Sequence, residues 1–355
     1  MLKTITELSH EFGTGDYVRG GGGNSSAKDA RTLWVKSSGT TLDSLTPESL
    51  VATDRKKLAQ LYETSTPPQP DAREALVKEM MLAAVRPDSR GRPSVEAPLH
   101  NAFEATFIVH THPAMVNGMT CAADGADVCR TLFPDALWID YTDPGYTLCM
   151  RVREEVAACT ARRGKEPTAV FLASHGVFVA GPTAEVIRKT YTSIMDRLGS
   201  EYRKAGIPTQ VTPGPMPPAE TIETVTHRLR ELLGEAAAHV CASGPFPVAT
   251  GPITPDHMVY AKAYPLIGPV TAGSVAEFRT RRGYPPQVVA CDEGVFGVGA
   301  GEKAAALALE LALDGARVVQ LAEAFGGIRH LSGRARDFIE NWEVEQYRLK
   351  IIASD

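Results

Sequence analysis

The sequence predicts an α/β protein of two domains, and three observations carry that expectation. Short apolar, strand-like runs alternate with long stretches of helical periodicity. The chain has 355 residues, enough for a full hydrophobic core and more than one domain ordinarily uses. One proline-rich stretch, "IPTQVTPGPMPPAE", breaks the pattern and reads as a linker. It sets a boundary near residue 212, with a first domain over 1–212 and a smaller α/β extension over 213–355.

The elements follow in order. "ITELSHEFGTGDYV" reads as an opening helix. "GGGGNSSAKD" reads as a loop, because four consecutive glycines hold neither a helix nor a strand. "TLWVKSSG" is a strand running into a turn, and "LTPESLVATDRKKLAQLYE" carries a short helix or strand. "STPPQPDAREALVKEMMLAAV" is a loop followed by a helix with apolar residues at helical spacing. After the loop "RPDSRGRPS", a second helix is expected over "VEAPLHNAFEAT", with Ser94 as its N-cap and Pro98 in or next to its first turn. Strands are predicted at "TFIVHTHP", "ALWIDY", "TAVFLASHG" and "GVFVAG", then a long helix over "EVIRKTYTSIMDRLGSEYRKAG". Beyond the linker, "ETVTHRLRELLGEA" is helical and "QVVACDEGVFGVG" strand-like. "EKAAALALELALDGARVVQLAEAFGG" is a long helix, apolar over so much of its surface that it must pack against something.

Composition narrows the function classes. Hydrophobic residues make up 43% and charged residues 22%, ordinary for a soluble globular chain. The net charge is -5 and no basic block stands out, so a nucleic-acid partner is not expected. No apolar run reaches the length of a membrane span, and "MLKTITELSHEFG" has no signal-peptide core. Six cysteines, at 121, 129, 149, 159, 241 and 291, lack paired or zinc-knuckle spacing and read as reduced thiols. The expectation is a cytoplasmic protein with no membrane partner.

The chemistry gathers around "FIVHTHPAMV". A strand places residues i and i+2 on one face, so His110 and His112 point at one spot. His175 ends a strand in "FLASHGVFVAG" and is followed by glycine, which suits the rim of a cavity. Three neutral imidazoles leave a zinc ion an open position, the catalytic arrangement. Glu96 lies on the helix just before the His-x-His strand and could move a proton. The loops "GGGGNSSAK", "KSSGTT" and "PSVE" offer backbone N–H groups and hydroxyls suited to phosphate. The plainer reading stays open: a buried histidine is usually satisfied by hydrogen bonds alone. A carboxylate is favoured in any first helical turn, and a glycine run can be a simple turn. His10, His100, His227, His239, His257 and His330 lack this context and read mostly as surface or core.

Taken in order, "GGGNSS", "KSSGTT", "PSVEAPLH", "VHTHP" and "ASHGVFVAG" resemble the class II aldolase/adducin family over roughly residues 5–205. The likeness is greatest to the aldolase part of bifunctional rhamnulose-phosphate aldolase/lactaldehyde dehydrogenases. It extends to "GPITPDHMVYAKAYPL", "DEGVFGVGAGEKAAALALEL" and "FIENWEVEQYRLK". The chain ends at Asp355, so no dehydrogenase half is expected, and "GVGAGEKAA" lacks a full nucleotide fingerprint. The resemblance implies a central, mostly antiparallel sheet flanked by helices, and a homotetramer with sites at subunit interfaces. It implies zinc, or another divalent metal, on His110, His112 and His175, with Glu96 as acid/base. It implies a substrate phosphate held by Asn24, Ser38, Gly39 and Ser94, with Lys28 as an additional contact. Two departures from the family pattern stand out. Val95 stands where fuculose-phosphate aldolases carry a second serine, and Tyr141 and Tyr146 are out of register with the tyrosine that a neighbouring subunit donates in those enzymes.

The leading expectation is an aldehyde-lyase that cleaves a ketose 1-phosphate to dihydroxyacetone phosphate and an aldehyde. A sugar-phosphate 4-epimerase shares the retro-aldol step, but epimerases of the family tend to carry Asp at the position of Glu96. A decarboxylase or dehydratase on the same scaffold, and an adducin-like binding protein without catalysis, complete the alternatives. Retention of three histidines and Glu96 speaks against the last. The second domain is expected to border the site, with His257 in "TPDHMVYAK" as a possible substrate contact beside Asp256 and Lys262, or else as a hydrogen-bonded histidine in a capped turn.

Overall fold

The computed structural model describes residues 1–342, so the "EVEQYRLK" portion of the C-terminal motif lies outside the described residues. Two compact units form. One comprises Met1–Thr120 and Asp124–Glu201; the other comprises Cys121–Ala123 and Tyr202–Asn341.

The first unit is built on seven strands: β1 (Asn24–Lys28), β2 (Thr32–Lys36), β3 (Leu50–Asp54), β4 (Phe107–Thr111), β5 (Leu137–Ile139), β6 (Ala169–Leu172) and β7 (Gly176–Gly181). Their order in the sheet is β3-β2-β1-β4-β7-β6-β5. Every neighbouring pair is antiparallel except β5 with β6. This is the mostly antiparallel sheet, flanked by helices, that the resemblance implies. Ile108 and Phe178 from the sheet pack with Leu99, Phe103 and Val152 from the helical side into one buried cluster. Leu33 and Val35 do the same with Leu58, Val77 and Met81.

One element corrects the sequence reading. The glycines of "GGGGNSSAKD" do form a loop, but Asn24–Lys28 is a buried strand at the centre of the sheet, paired on both edges. Asn, Ser and Lys have poor strand propensity. Here the sheet wins because the polar side chains find buried partners: Ser25 meets Ser9, Ser26 meets His100, and Asn24 meets Glu96. Gly23, at φ 65°, turns the loop into this strand, and a Cβ there would stand 2.7 Å from the His110 carbonyl oxygen.

A second correction concerns the helix Ala97–Ala102. Glu96, not Ser94, is its N-cap residue, and no side chain caps it. Ser94 sits one turn earlier and its Oγ accepts from the Glu96 N–H at 3.3 Å. Pro98 falls in the first turn, where a missing N–H costs nothing.

The second unit has four strands, β8 (His239–Ser243), β9 (Leu266–Ile267), β10 (Val288–Cys291) and β11 (Gly294–Gly299), in the order β8-β11-β10-β9. "QVVACDEGVFGVG" is the antiparallel hairpin β10–β11. The apolar helix Glu302–Ala322 lies against β11, burying Ala305, Ala308, Leu311 and Ala312. No helix among the described residues is long and apolar enough to cross a membrane.

Candidate metal centre

His110 sits on β4, one face with Ile108, so the apolar core that anchors Ile108 also sets the imidazole. Its ring stacks on Phe178, its cross-strand partner on β7, with centroids 3.8 Å apart and planes 9° from parallel. Nδ1 lies 3.0 Å from the Val177 carbonyl oxygen, which can only accept. Nδ1 therefore carries the proton, and Nε2 presents a lone pair. His112 follows the strand end, its Nε2 2.9 Å from His110 Nε2. His175 occupies the turn between β6 and β7, with its backbone N–H on the Leu172 carbonyl. The residue before it, Ser174, has a φ of 54°, a left-handed conformation that costs of order 1–3 kcal/mol in a non-glycine residue.

One ligand atom from each of His110, His112 and His175 lies within 4.8 Å of the others. Two imidazole nitrogens on one tetrahedral zinc stand roughly 3.3 Å apart, so the His110–His112 separation already suits a shared ion. Three imidazoles and no thiolate are the donor set of an open zinc site. The residues fit a divalent metal.

Glu96 faces this cluster. Its Oε2 lies 3.5 Å from His110 Nε2 and its Oε1 3.9 Å from His175 Nε2. The residue is 7% exposed, and a buried carboxylate needs partners. Asn24 Nδ2 supplies one by donating to Oε2 at 2.5 Å.

The remaining expected residues fall as follows. Asn24 pairs in register with His110 across β1 and β4, and its amide oxygen is bonded to His100. Residues 36–38 and 92–94 pair through a short antiparallel bridge: Ser38 N–H donates to the Arg92 carbonyl and Ser94 N–H to the Lys36 carbonyl. Ser94 is thereby buried beside Glu96, while Gly39 is exposed at the turn. Lys28 is buried, with Nζ donating to the His100 carbonyl. Burial, reinforced by Arg55, lowers its pKa to about 7. Tyr146 lies on the helix Tyr146–Arg163 and its hydroxyl donates to the Leu61 carbonyl. His257 belongs to the second unit, in the helix Pro255–Ala261 rather than a turn. It is buried, with Nδ1 2.7 Å from Thr254 Oγ1 and Nε2 3.3 Å from Asp314 Oδ2.

Two residues were not singled out by the sequence reading. His100 is fully buried, and burial holds its imidazole down at about 3. It lies four residues after Glu96, the spacing that places both on one helix face, and that was the available signal. Lys36 ends the apolar strand β2. Its Nζ donates to the Gly21 and Thr40 carbonyls, tying the glycine loop to the "KSSGTT" loop.

Known proteins share parts of this chain. The N-terminal Class II Aldolase domain of a conserved protein from Thermoplasma acidophilum is 20% identical, covering 56% of this chain and 92% of its own, with a TM-score of 0.48. L-fuculose-1-phosphate aldolase from Thermus thermophilus is 15% identical, covering 56% of this chain and 91% of its own, with a TM-score of 0.34. The uncharacterized oxidoreductase YuxG of Bacillus subtilis is 25% identical over 185 residues, 49% of this chain. The chain spans only 25% of the length of that curated relative. Residues 3–194 match the family described as Class II Aldolase and Adducin N-terminal domain, and the chain belongs to that family.

Proposed function

We propose that this protein is a metal-dependent aldolase that cleaves a ketose 1-phosphate, of the rhamnulose or fuculose phosphate kind, into dihydroxyacetone phosphate and an aldehyde. One observation carries the reading: a buried carboxylate, Glu96, set against three imidazoles that converge on one point. A binding scaffold has no use for that pairing.

When bound, a zinc or other divalent ion on His110, His112 and His175 supplies positive charge to the substrate oxygens that gain negative charge as the carbon–carbon bond breaks. As the C3–C4 bond breaks, the C4 hydroxyl gives up its proton to solvent to become the aldehyde, and Glu96 in its acid form gives a proton to C3 of the three-carbon fragment; in the reverse direction the Glu96 carboxylate removes it. Ser94, whose Oγ accepts from the Glu96 N–H, and the Ser38–Gly39 turn, tied to the Arg92 carbonyl by the Ser38 N–H, hold the phosphate. Asn24 has two amide hydrogens, one of which goes to Glu96, and the other completes the pocket. Lys28, at the other end of β1 from Asn24 and with its Nζ committed to the His100 carbonyl, takes no part in this reading. The reading carries with it a homotetramer, to be checked by light scattering.

The test is a panel of ketose 1-phosphates, and of aldehydes with dihydroxyacetone phosphate, assayed with zinc and after chelation. Zinc-dependent formation of dihydroxyacetone phosphate from one of them is the expected result. Turnover of a pentulose 5-phosphate to its 4-epimer, with no cleavage of any 1-phosphate, would replace this reading with the epimerase.

A further inference from the structure

Glu96 is held by a chain of hydrogen bonds whose directions follow from the chemistry of its members. The carboxylate only accepts, so the Asn24 group 2.5 Å from Oε2 is the NH2, which donates. That orientation turns the Asn24 amide oxygen toward His100 Nε2. An amide oxygen only accepts, so His100 carries its proton on Nε2. The imidazole is buried and neutral, which leaves Nδ1 as a bare lone pair, and the Ser26 hydroxyl 2.7 Å away donates to it. Ser26, His100, Asn24 and Glu96 thus form one sequence of donors ending on a carboxylate oxygen. All four side chains are buried.

Two local geometries assemble it. Asn24 and Ser26 are i and i+2 on β1 and share one face of the sheet. Glu96 and His100 are four residues apart, joined by the His100 N–H to Glu96 carbonyl bond at 2.9 Å, and share one face of the helix. The strand and the helix meet along these two pairs. The ring of His100 is further fixed edge-to-face against Phe178, the residue on which His110 stacks. A single phenyl ring therefore locates both the end ligand of the cluster and the histidine behind Glu96.

We propose that Ser26 and His100 are positioning residues for Glu96, acting through Asn24 to anchor Oε2 and leave Oε1, on the His175 side, as the oxygen that handles the substrate proton. This rests on the reading of Glu96 as acid/base. An amide cannot pass a proton along the chain, so the network orients Glu96 and does not shuttle protons for it. The class of role is specific: loss of either residue slows the proton step and spares metal binding and substrate affinity.

The test uses the full chain loaded with zinc, and follows exchange of the C3 hydrogen of dihydroxyacetone phosphate for deuterium in heavy water. This isolates proton removal and needs no aldehyde partner. His100→Phe is expected to slow exchange by about tenfold or more, since a carboxylate displaced by a fraction of an ångström loses its attack geometry. Its apparent KM and one zinc per chain should persist. His100→Gln, whose amide can still donate to Asn24, should recover part of the rate. Ser26→Ala removes a single oxygen, and serves where His100→Phe folds poorly. A second readout is independent of turnover. Nitrogen NMR of the metal-free protein should show His100 as the Nε2–H tautomer.

Wild-type exchange rates in His100→Phe or Ser26→Ala with zinc intact, or an Nδ1–H tautomer at His100, overturn the proposal. Undiminished exchange in Glu96→Gln, or no exchange in the wild type, instead defeats the functional reading. The tautomer then still decides the hydrogen-bond chain on its own.

Discussion

Gly176 lies directly beneath the ring of His112: a Cβ built on Gly176 would stand 2.6 Å from His112 Cδ2 and 2.4 Å from the Thr111 carbonyl oxygen. The "His-Gly" pair in the sequence is therefore two statements about one site. His175 offers a ligand, and the glycine after it clears room for another. Gly176→Ala is expected to push His112 off the point it shares with His110 and His175 while leaving all three histidines in the sequence. Losses of about 10–100-fold in metal affinity are typical when a ligand loses its orientation. Competition against a colorimetric zinc chelator measures this. Affinity equal to wild type would mean that the turn absorbs the methyl group without moving the ring.

One divalent metal per chain is expected in protein prepared without chelator. The His110→Ala/His112→Ala double variant should lose it, because one imidazole and a carboxylate make too small a donor set. Elemental analysis of both proteins decides the matter. Retention of the metal by the double variant would relocate the site.

Most of this centre was legible in the sequence because its residues obey short-range rules. His110 and His112 are fixed by strand alternation, and Gly176 follows His175 directly. β1 was not legible, since "NSSAK" has neither alternation nor β-branched residues to mark it as a strand. Its place at the centre of the sheet comes from partners at Ser9, Glu96 and His100, distant in sequence. For the same reason His100 looked like an ordinary core histidine. The spacing from Glu96 was visible, but the face of β1 that it meets was not. Ser94 is a different kind of miss. A serine before a helix reads as a cap, and here a further turn intervenes between Ser94 and the first helical residue.

Glu96→Gln should keep the metal and lose turnover by about a hundredfold or more, the usual cost of removing a general acid–base. The amide preserves shape and still meets the Asn24 amide group after reorientation, so folding should be little changed. Steady-state kinetics on the substrate identified by the panel, with zinc content measured in parallel, gives the answer. Near-normal turnover would place the proton transfer elsewhere.

Inorganic phosphate should compete with substrate at millimolar concentration, and Ser94→Ala should weaken that competition. The motive is Ser94, buried with its Oγ on the Glu96 N–H, and the bridge that ties residues 92–94 to the strand leading into the Ser38–Gly39 turn. An inhibition constant that is the same in wild type and Ser94→Ala would leave Ser94 as a structural link between Lys36 and Glu96.

The last expectation concerns acid. Burial, opposed in part by the charge of Glu96, holds His100 at about 3, below the ordinary 6.5 of an imidazole. The unfolded chain therefore takes up a proton as pH falls below about 6.5, while the native protein does so only near 3. The native state is favoured in full above that upper value and loses stability progressively as pH drops toward the lower one, by up to ~1.4 kcal/mol per pH unit from this group. Stability depends on the whole chain, so the comparison must isolate His100. His100→Gln has no proton to take up. In urea unfolding of metal-free protein, the wild type should lead the variant at pH 7, because it keeps the Ser26 bond. The lead should narrow by up to about 2 kcal/mol at pH 5. Parallel stability curves for the two proteins between pH 7 and 5 would show that native His100 takes up its proton over the same range as the unfolded chain, and the burial that keeps it neutral in the donor sequence from Ser26 to Glu96 would have to be reconsidered.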